Sequence, residues 1–306
     1  MIDLRINSEF SRLRKVILGI GIDFGGCPKL SDAYDPKSKE HIMNGTFPEE
    51  NDIKTELMNV VDVLRKYNVD VLRPKNIINC NQIFTRDVGF VIEDQFLIAN
   101  MIQKRSQEIS GLNVILKQIN SSQTHHIPKD IFIEGGDVIV SNGHLFIGFS
   151  NDEKFSKHEV SRTNQKALDF LSQKFPNKKI KGFDLKKSDI NSLGNCLHLD
   201  CCFQPLGLGH VIIYPDGFES KQDIDLISHI FGKDNVILIN QDEMASMFSN
   251  IFSISKNVII SEKQFSRLNS LLRLKGYTVE EVCFSEISKM GGLLRCATLP
   301  LIRDND

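Results

Sequence analysis

The sequence predicts an α/β fold in which five ββαβ units form a closed ring, a five-bladed α/β propeller with pseudo-five-fold symmetry. Four pairs of short apolar segments flank polar or glycine-containing turns, the pattern of a β-hairpin. Their turn centres, near Asp94, Asn142, Leu208 and Lys256, lie 48, 66 and 48 residues apart, which indicates an internal repeat with one insertion. A further period from Lys256 ends near residue 304, so a fifth hairpin needs a strand from the other end of the chain. Residues 15–18 are the candidate, and we expect the N- and C-terminal strands to pair and close one domain spanning residues 1–306.

The remaining elements follow from apolar periodicity, taken in chain order. Apolar residues at helical spacing from Ile53 to Leu64 predict a helix, and residues 69–72 the strand after it. The hairpins are predicted at residues 88–92 with 95–99, 138–140 with 144–147, 202–204 with 211–214, and 251–254 with 258–260. Helical stripes at 160–175, 224–231 and 265–275 precede short strands at 180–183, 236–239 and 278–283. Residues 149–160, which contain a charged stretch at 151–154, are interpreted as the insertion.

Composition excludes several classes of protein. The 306 residues are 41% hydrophobic and 25% charged, and 37 basic against 39 acidic side chains give a formal net charge of −2. This is the profile of a soluble globular chain, without the basic excess that binding nucleic acid requires. No apolar run approaches the roughly 20 residues of a membrane helix. The first ten residues do not resemble a signal peptide, so we expect a cytoplasmic location.

The cysteines and glycines do not form a metal or nucleotide motif. Seven cysteines are an odd number, no pair has the spacing of a zinc knuckle, and no two histidines stand at a zinc-finger interval. Gly19 and Gly21 begin a dinucleotide fingerprint, but Phe24 occupies the third glycine position. We therefore predict neither a metal nor a cofactor.

Charged residues at strand ends carry the functional signal. Glu134, His198 and Cys296 fall near corresponding edges of repeat units, so the ring brings them to one central site. A cysteine, a histidine and a carboxylate are the parts of nucleophilic catalysis with an acid–base partner. Asp87 and Asp200 bring the carboxylates in this neighbourhood to three, which suits a planar cation with many N–H donors, such as a guanidinium.

These motifs give the chain a family resemblance along almost its whole length. It resembles the guanidino-group-modifying enzymes of the pentein superfamily, which are arginine deiminases, dimethylarginine dimethylaminohydrolases and amidinotransferases, and whose fold is a five-bladed propeller. The motifs that carry the resemblance are Phe84-Thr85-Arg86-Asp87, Glu134-Gly135-Gly136-Asp137, Arg162-Thr163-Asn164, His198-Leu199-Asp200 and Arg295-Cys296-Ala297-Thr298-Leu299-Pro300.

The resemblance implies a role for each candidate residue. Cys296 would attack the guanidinium carbon, His198 would protonate the leaving nitrogen, and Glu134 would orient the histidine and the guanidinium. Asp87 and Asp200 would hold the guanidinium nitrogens. Arg162 and Arg105 would pair with the α-carboxylate of the substrate. The covalent amidino-thioether would then be cleared by water, as in a hydrolase, or by an amine, as in a transferase.

The leading hypothesis is a hydrolase acting on the guanidino group of arginine or a close relative. His198-x-Asp200 and the residues around Cys296 are more similar to deiminases, whereas the chain length is more similar to a dimethylarginine hydrolase or a small amidinotransferase. An amidinotransferase and a non-catalytic pentein binding protein are the alternatives. The expected partner is a small guanidino molecule, and a homo-oligomer stays open. Because three carboxylates surround Cys296, we also expect its thiol to be activated by the bound cation.

Overall fold

Three-stranded sheets are the repeating unit of the structure. The computed structural model describes residues 1–141 and 143–305. In this part of the chain, 15 strands form five such sheets. The strands are β1 Leu13–Leu18, β2 Asp70–Leu72, β3 Gly89–Ile92, β4 Gln95–Ile98, β5 Thr124–His126, β6 Val138–Ser141, β7 His144–Phe149, β8 Lys179–Asp184, β9 Phe203–Pro205, β10 Val211–Ile213, β11 Val236–Leu238, β12 Phe252–Ser255, β13 Val258–Glu262, β14 Thr278–Val282 and β15 Thr298–Arg303.

Each sheet repeats the same pairing. In β3-β4-β5, β6-β7-β8, β9-β10-β11 and β12-β13-β14, the first strand is antiparallel to the second, and the second is parallel to the third. A parallel pair needs a crossover connection, and helical segments supply it between the second and third strands. The four predicted hairpins are confirmed; the turn centre at Asn142 lies outside the described residues.

The fifth sheet joins the two ends of the chain. β1 pairs antiparallel with β15, from Leu13 opposite Arg303 to Leu18 opposite Thr298, and pairs parallel with β2. The prediction that an N-terminal strand completes the last blade is therefore confirmed. The predicted five-unit α/β architecture is observed, with the ring closed by hydrogen bonds between the ends of the chain.

Ten α-helices are found in the described residues. They are α1 Pro36–Met43, α2 Glu50–Lys66, α3 Thr85–Val88, α4 Asn113–Leu116, α5 Asp152–Lys157, α6 Lys166–Lys174, α7 Lys221–Phe231, α8 Gln241–Ala245, α9 Ser266–Leu274 and α10 Ser285–Ser288. α2 illustrates why they form: Ile53, Leu57 and Val60 bury one face, and acidic residues in its first turn and basic residues in its last complement the helix dipole. None of the helices among the described residues is both long and apolar enough to cross a lipid bilayer.

Two connections differ from the sequence prediction. The unit that contains β3 and β4 continues through a 3₁₀ helix, Gln103–Leu112, to the short strand β5, neither of which was predicted. In the next unit, the helix predicted at 160–175 begins only at Lys166. Just before this helix, Asn164 forms a parallel β-bridge with Ser150. The Asn164 N–H donates to the Phe132 carbonyl at 3.0 Å. This irregular segment carries Arg162.

The insertion forms α5, a short helix on the approach to Arg162. The Asn151 side chain caps it by accepting the Lys154 N–H at 3.1 Å. Lys154 forms an ion pair with Glu219 at 2.9 Å, which ties the helix to the segment that follows β10. α5 is therefore held by a cap and an ion pair, with no buried side chain of its own.

Candidate active site

The inner ends of the five units converge on one place. One to three residues before the first strand of each sheet stands a polar residue or a thiol: Asp87, Asp137, Asp200, Asn250 and Cys296. Hydrogen bonds connect neighbouring units at these positions. The Cys296 carbonyl accepts the Arg86 N–H at 3.0 Å, and the Asn250 carbonyl accepts the Arg295 N–H at 3.1 Å. The Asp200 carbonyl accepts the Ser249 hydroxyl at 2.8 Å. Residues far apart in sequence therefore share a single buried centre.

Cys296 lies at this centre with only 3% of its surface exposed. Its Sγ is 3.7 Å from Oδ2 of Asp200 and 3.1 Å from Nδ2 of Asn250. Burial, followed by the negative charges of Asp200 and Asp87, raises the pKa of the Cys296 thiol well above its usual range. Cys296 is therefore a thiol at neutral pH.

His198 is held between two carboxylates. Its Nε2 donates to Oε2 of Glu134 at 2.9 Å, and its Nδ1 lies 3.7 Å from Oδ1 of Asp87. A side chain on Gly136 would come within 2.7 Å of the imidazole, so glycine is needed for the ring to pack there. Burial alone would lower the pKa of His198, but Asp87, Glu134 and Asp137 outweigh it and raise the pKa to about 8. The ring therefore carries a proton to donate at neutral pH.

Glu134 is fully buried and remains a carboxylate. Besides His198, it contacts Nη1 of Arg162 and Nη1 of Arg105, both at 3.4 Å. Burial would raise the pKa of Glu134, but Arg162, the hydrogen bond from His198, and Arg105 hold it well below its usual range. The charge that orients the imidazole is therefore permanent over the physiological pH range.

Asp87 presents one occupied and one open oxygen. Its Oδ2 accepts from Nη1 of Arg105 at 2.8 Å. Its Oδ1 is buried and has no hydrogen-bond partner among the described residues. A buried carboxylate oxygen without a partner is costly, so this atom marks a place for an N–H donor.

Arg105 lies deeper than its predicted role suggests. The Arg105 guanidinium is 3% exposed and contacts Asp87 and Glu134. From the sequence, Asp87 was expected to bind the substrate guanidinium, and Glu134 to orient His198. On its other side it forms a two-pronged pair with Glu108, at 2.7 and 2.9 Å. Burial raises the pKa of Glu108 to about 7, although Arg105 opposes the shift.

Tyr34 contacts both arginines of the site. Nη2 of Arg162 donates to the Tyr34 carbonyl at 3.0 Å. The Tyr34 ring centre lies 5.3 Å from the guanidinium carbon of Arg162 and 5.8 Å from that of Arg105, within range of cation–π attraction. A cavity of about 290 Å³ lies beyond Tyr34 and Glu108, against residues 24–35.

Two further residues contact the centre and were given no role from the sequence. Arg295 donates to Oδ2 of Asp200 at 2.9 Å and to Oε1 of Glu9 at 3.0 Å, all three side chains being buried. Burial would raise the pKa of Glu9, but Arg295 and Arg86 lower it to about 2. Asn250 contacts Cys296 directly; the available signal was its place before β12, equivalent to that of Asp200 before β9.

The described residues contain one cluster with the spacing of a metal site. Ligand atoms of Asp87, Glu134 and His198 lie within 4.8 Å of one another. The sequence predicted no metal here. Because Arg105 and Arg162 contact these carboxylates, a cation would have to compete with both guanidinium groups.

Comparison with known proteins identifies the relatives of this chain. The family model described as N,N dimethylarginine dimethylhydrolase, eukaryotic, matches residues 38–303. The uncharacterized protein YkgA of Bacillus subtilis (strain 168) is 32% identical over 247 residues, which are 80% of this chain and 78% of that protein.

Two solved structures have the same fold. The N-terminal domain of ArgZ, described as an arginine dihydrolase from the ornithine-ammonia cycle in cyanobacteria and bound to product, superposes with a TM-score of 0.76 at 16% identity over 94% of this chain and 97% of that chain. SxtG, described as an amidinotransferase from Microseira wollei in the saxitoxin biosynthetic pathway, gives 0.75 at 16% identity over 99% and 98%. Their likeness extends over nearly the whole ring.

Proposed function

Because this chain belongs to the N,N-dimethylarginine dimethylhydrolase family of pentein guanidino-modifying enzymes, we propose that it is a cysteine-dependent hydrolase of the guanidino group of arginine or a close relative. The observation that carries the proposal is the open Oδ1 of Asp87, buried beside the imidazole of His198 in the carboxylate-lined centre that holds Cys296. A guanidinium N–H supplies the missing donor to that oxygen.

The first half of the reaction forms a covalent adduct. The bound guanidinium offsets the negative charge around Cys296, and its thiol releases a proton to solvent, because His198 already carries one. The Sγ electron pair then forms a bond to the guanidinium carbon. Nε2 of His198 is engaged by Glu134, so Nδ1 is the atom that donates a proton to the leaving nitrogen. The C–N bond breaks, ammonia or an amine leaves, and an amidino-thioether remains on Cys296.

The second half returns the enzyme to its starting state. His198, now neutral, accepts a proton from water, and the water oxygen bonds to the thioether carbon. Collapse of this adduct breaks the C–S bond, and the departing sulfur takes the hydroxyl proton, which leaves a neutral ureido product and restores the thiol. Glu134 serves both halves by stabilising the protonated imidazole and fixing which nitrogen takes part.

The carboxylates also bear on the substrate. Asp87 and Asp200 both accept N–H donors, so a guanidinium that keeps all its hydrogens satisfies them better than one whose terminal nitrogen carries two methyl groups. Arg162 is proposed to bind the α-carboxylate, since among the described residues its Nη2 donates only to the Tyr34 carbonyl. On this basis arginine is the preferred substrate.

An amidinotransferase is the second candidate. It is supported by the match to SxtG along 99% of this chain and by the burial of Cys296, which restricts the access of water to a thioether. In that case an amine replaces water in the second half of the reaction.

Incubation of the purified protein with arginine separates these activities. A hydrolase forms ureido product and ammonia in equal amounts without any acceptor, whereas a transferase releases ornithine only when an amine such as glycine is added. A panel of arginine, methylarginines, agmatine and guanidinoacetate then defines the substrate. Turnover that is unchanged in Cys296→Ser would overturn the nucleophile, and ligand binding without turnover of any member would favour a binding protein.

A further inference from the structure

Asn250 holds Cys296 at two points. It is fully buried and stands two residues before β12. Its Oδ1 accepts the backbone N–H of Cys296 at 3.1 Å, and its Nδ2 donates to Sγ of the same residue at 3.1 Å. One amide therefore fixes both the backbone and the sulfur of the proposed nucleophile.

The orientation of this amide follows from the chemistry of its partners. A backbone N–H only donates, so the atom facing it must be the carbonyl oxygen of Asn250. The NH₂ group then necessarily faces Sγ. This removes the ambiguity between oxygen and nitrogen that ordinarily attends an asparagine side chain.

We propose that Asn250 is a positioning residue that aims the Cys296 sulfur and stabilises its thiolate by donating the Nδ2 hydrogen bond. The inference rests on the proposed function, in which Cys296 is the nucleophile. Sγ has an acceptor, Asp200, at 3.7 Å and a donor, Asn250, at 3.1 Å. A donor favours the charged form of the sulfur, whereas the carboxylate disfavours it. Asn250 thus stabilises the thiolate with a fixed, neutral donor, in opposition to the carboxylates that bind the substrate cation.

The choice of an amide has a reason of its own. An ionised aspartate at position 250 would still accept the Cys296 N–H, but it would place another negative charge beside the sulfur and could not donate to it. A lysine or arginine would donate, but its positive charge would compete with the substrate for Asp87 and Asp200. A neutral donor stabilises the thiolate without repelling the guanidinium.

The test compares Asn250→Ala and Asn250→Asp with Asn269→Ala. Asn269 is a matched control, because it is equally buried and bonds Ser261 and the Glu262 carbonyl. We expect kcat with arginine to fall about 10- to 100-fold in Asn250→Ala, the effect of losing one hydrogen bond to a charged group, and further in Asn250→Asp. In both Asn250 variants we also expect the pH midpoint of Cys296 alkylation, measured by peptide mass spectrometry, to rise by about one pH unit or more. Asn269→Ala should leave that midpoint unchanged, whatever it does to stability.

Two outcomes separate this inference from the proposed function. If Cys296→Ser is inactive while both Asn250 variants keep the wild-type alkylation profile and kcat, the role of Asn250 is wrong and the nucleophile stands. If Cys296→Ser retains full turnover, the proposed function itself is wrong. Should Asn250→Ala fail to fold, Asn250→Asp carries the test, since it preserves the shape of the side chain and the Oδ1 acceptor.

Discussion

The imidazole Nε2 of His198 lies 2.9 Å from Oε2 of Glu134, so the proton on that nitrogen is fixed and only Nδ1 is left for exchange. Both side chains are buried, and the carboxylate is itself neutralised by Arg162 and Arg105. The pair therefore sets which histidine nitrogen is acidic and how strongly it holds its proton.

Glu134→Gln should reduce both the pKa of His198 and the activity. The neutral amide no longer stabilises the imidazolium, so the His198 pKa should fall from about 8 toward 6.5. We expect kcat at pH 7 to fall at least about fourfold, because the protonated fraction of His198, the proposed general acid, drops from about 0.9 to about 0.25. NMR titration of the imidazole and pH–rate profiles measure the two effects. Glu159→Gln, a half-exposed neighbour, is the control; unchanged His198 titration in Glu134→Gln would contradict the role of Glu134.

Stability should depend on pH through His198. The pKa of His198 in the folded protein is about 8, above the ordinary value of 6.5. The protonated imidazole therefore stabilises the fold by about 2 kcal/mol below pH 6.5. This contribution is lost as the pH rises through 8. Glu108 and Glu56, with pKa values raised to about 7, also titrate near this window. The difference between wild type and His198→Gln isolates the histidine. Urea unfolding at pH 6 and pH 9 measures it, and an equal loss of stability in both proteins would refute the assignment.

A guanidine ligand should activate Cys296. Burial and two carboxylates raise its thiol pKa in the empty site, and a bound cation offsets their charge. Iodoacetamide labelling of Cys296 should therefore have a lower pH midpoint with saturating guanidinium ion than without it. Cys283 is exposed and provides an internal control in the same sample. Superimposable curves for Cys296 would remove the idea of substrate-assisted activation.

Arg162→Lys should discriminate between substrates with and without a carboxylate. Lysine keeps a positive charge near Glu134 but loses the planar two-pronged geometry that pairs with a carboxylate. We expect KM for arginine to rise about 10- to 100-fold, whereas agmatine, which lacks the carboxylate, changes by less than about twofold. Steady-state kinetics with both substrates is the measurement. A parallel loss for agmatine would mean that Arg162 supports the fold or Glu134 rather than the substrate.

Arg295→Ala should destabilise the fold strongly. It removes the partner of two buried carboxylates, Glu9 and Asp200, and breaking a buried ion pair from one side costs about 3–5 kcal/mol. Arg14→Ala removes an exposed pair with Asp304 and should cost about 0–1 kcal/mol. Equilibrium urea unfolding compares the two variants, and similar small losses would show that the Arg295 network contributes little.

The fold was largely predictable because its strands are apolar and its hairpins recur. The closing pair was inferred from a missing partner, and β1 pairs with β15 as expected. The 3₁₀ helix Gln103–Leu112 was missed because its polar residues have no 3.6-residue apolar stripe, and β5 because only three residues, two of them histidines, form it.

The membership of the site was predictable, but its pairings were not. Periodicity placed Glu134, His198 and Cys296 at equivalent edges of the units. It gave no information on side-chain direction, so the contact of Arg105 with Asp87 and the amide of Asn250 on the sulfur emerged only in three dimensions. Such pairings depend on rotamers and on segments from other units.

The pairing of β1 with β15 makes the two terminal strands part of the sheet that leads to the Cys296 sulfur. Cys296 stands two residues before β15, and Thr298, the first residue of that strand, is held by Leu18 of β1. Because β1 and β15 share one hydrogen-bonded ladder, a displacement of either terminal strand would shift the backbone beside Cys296.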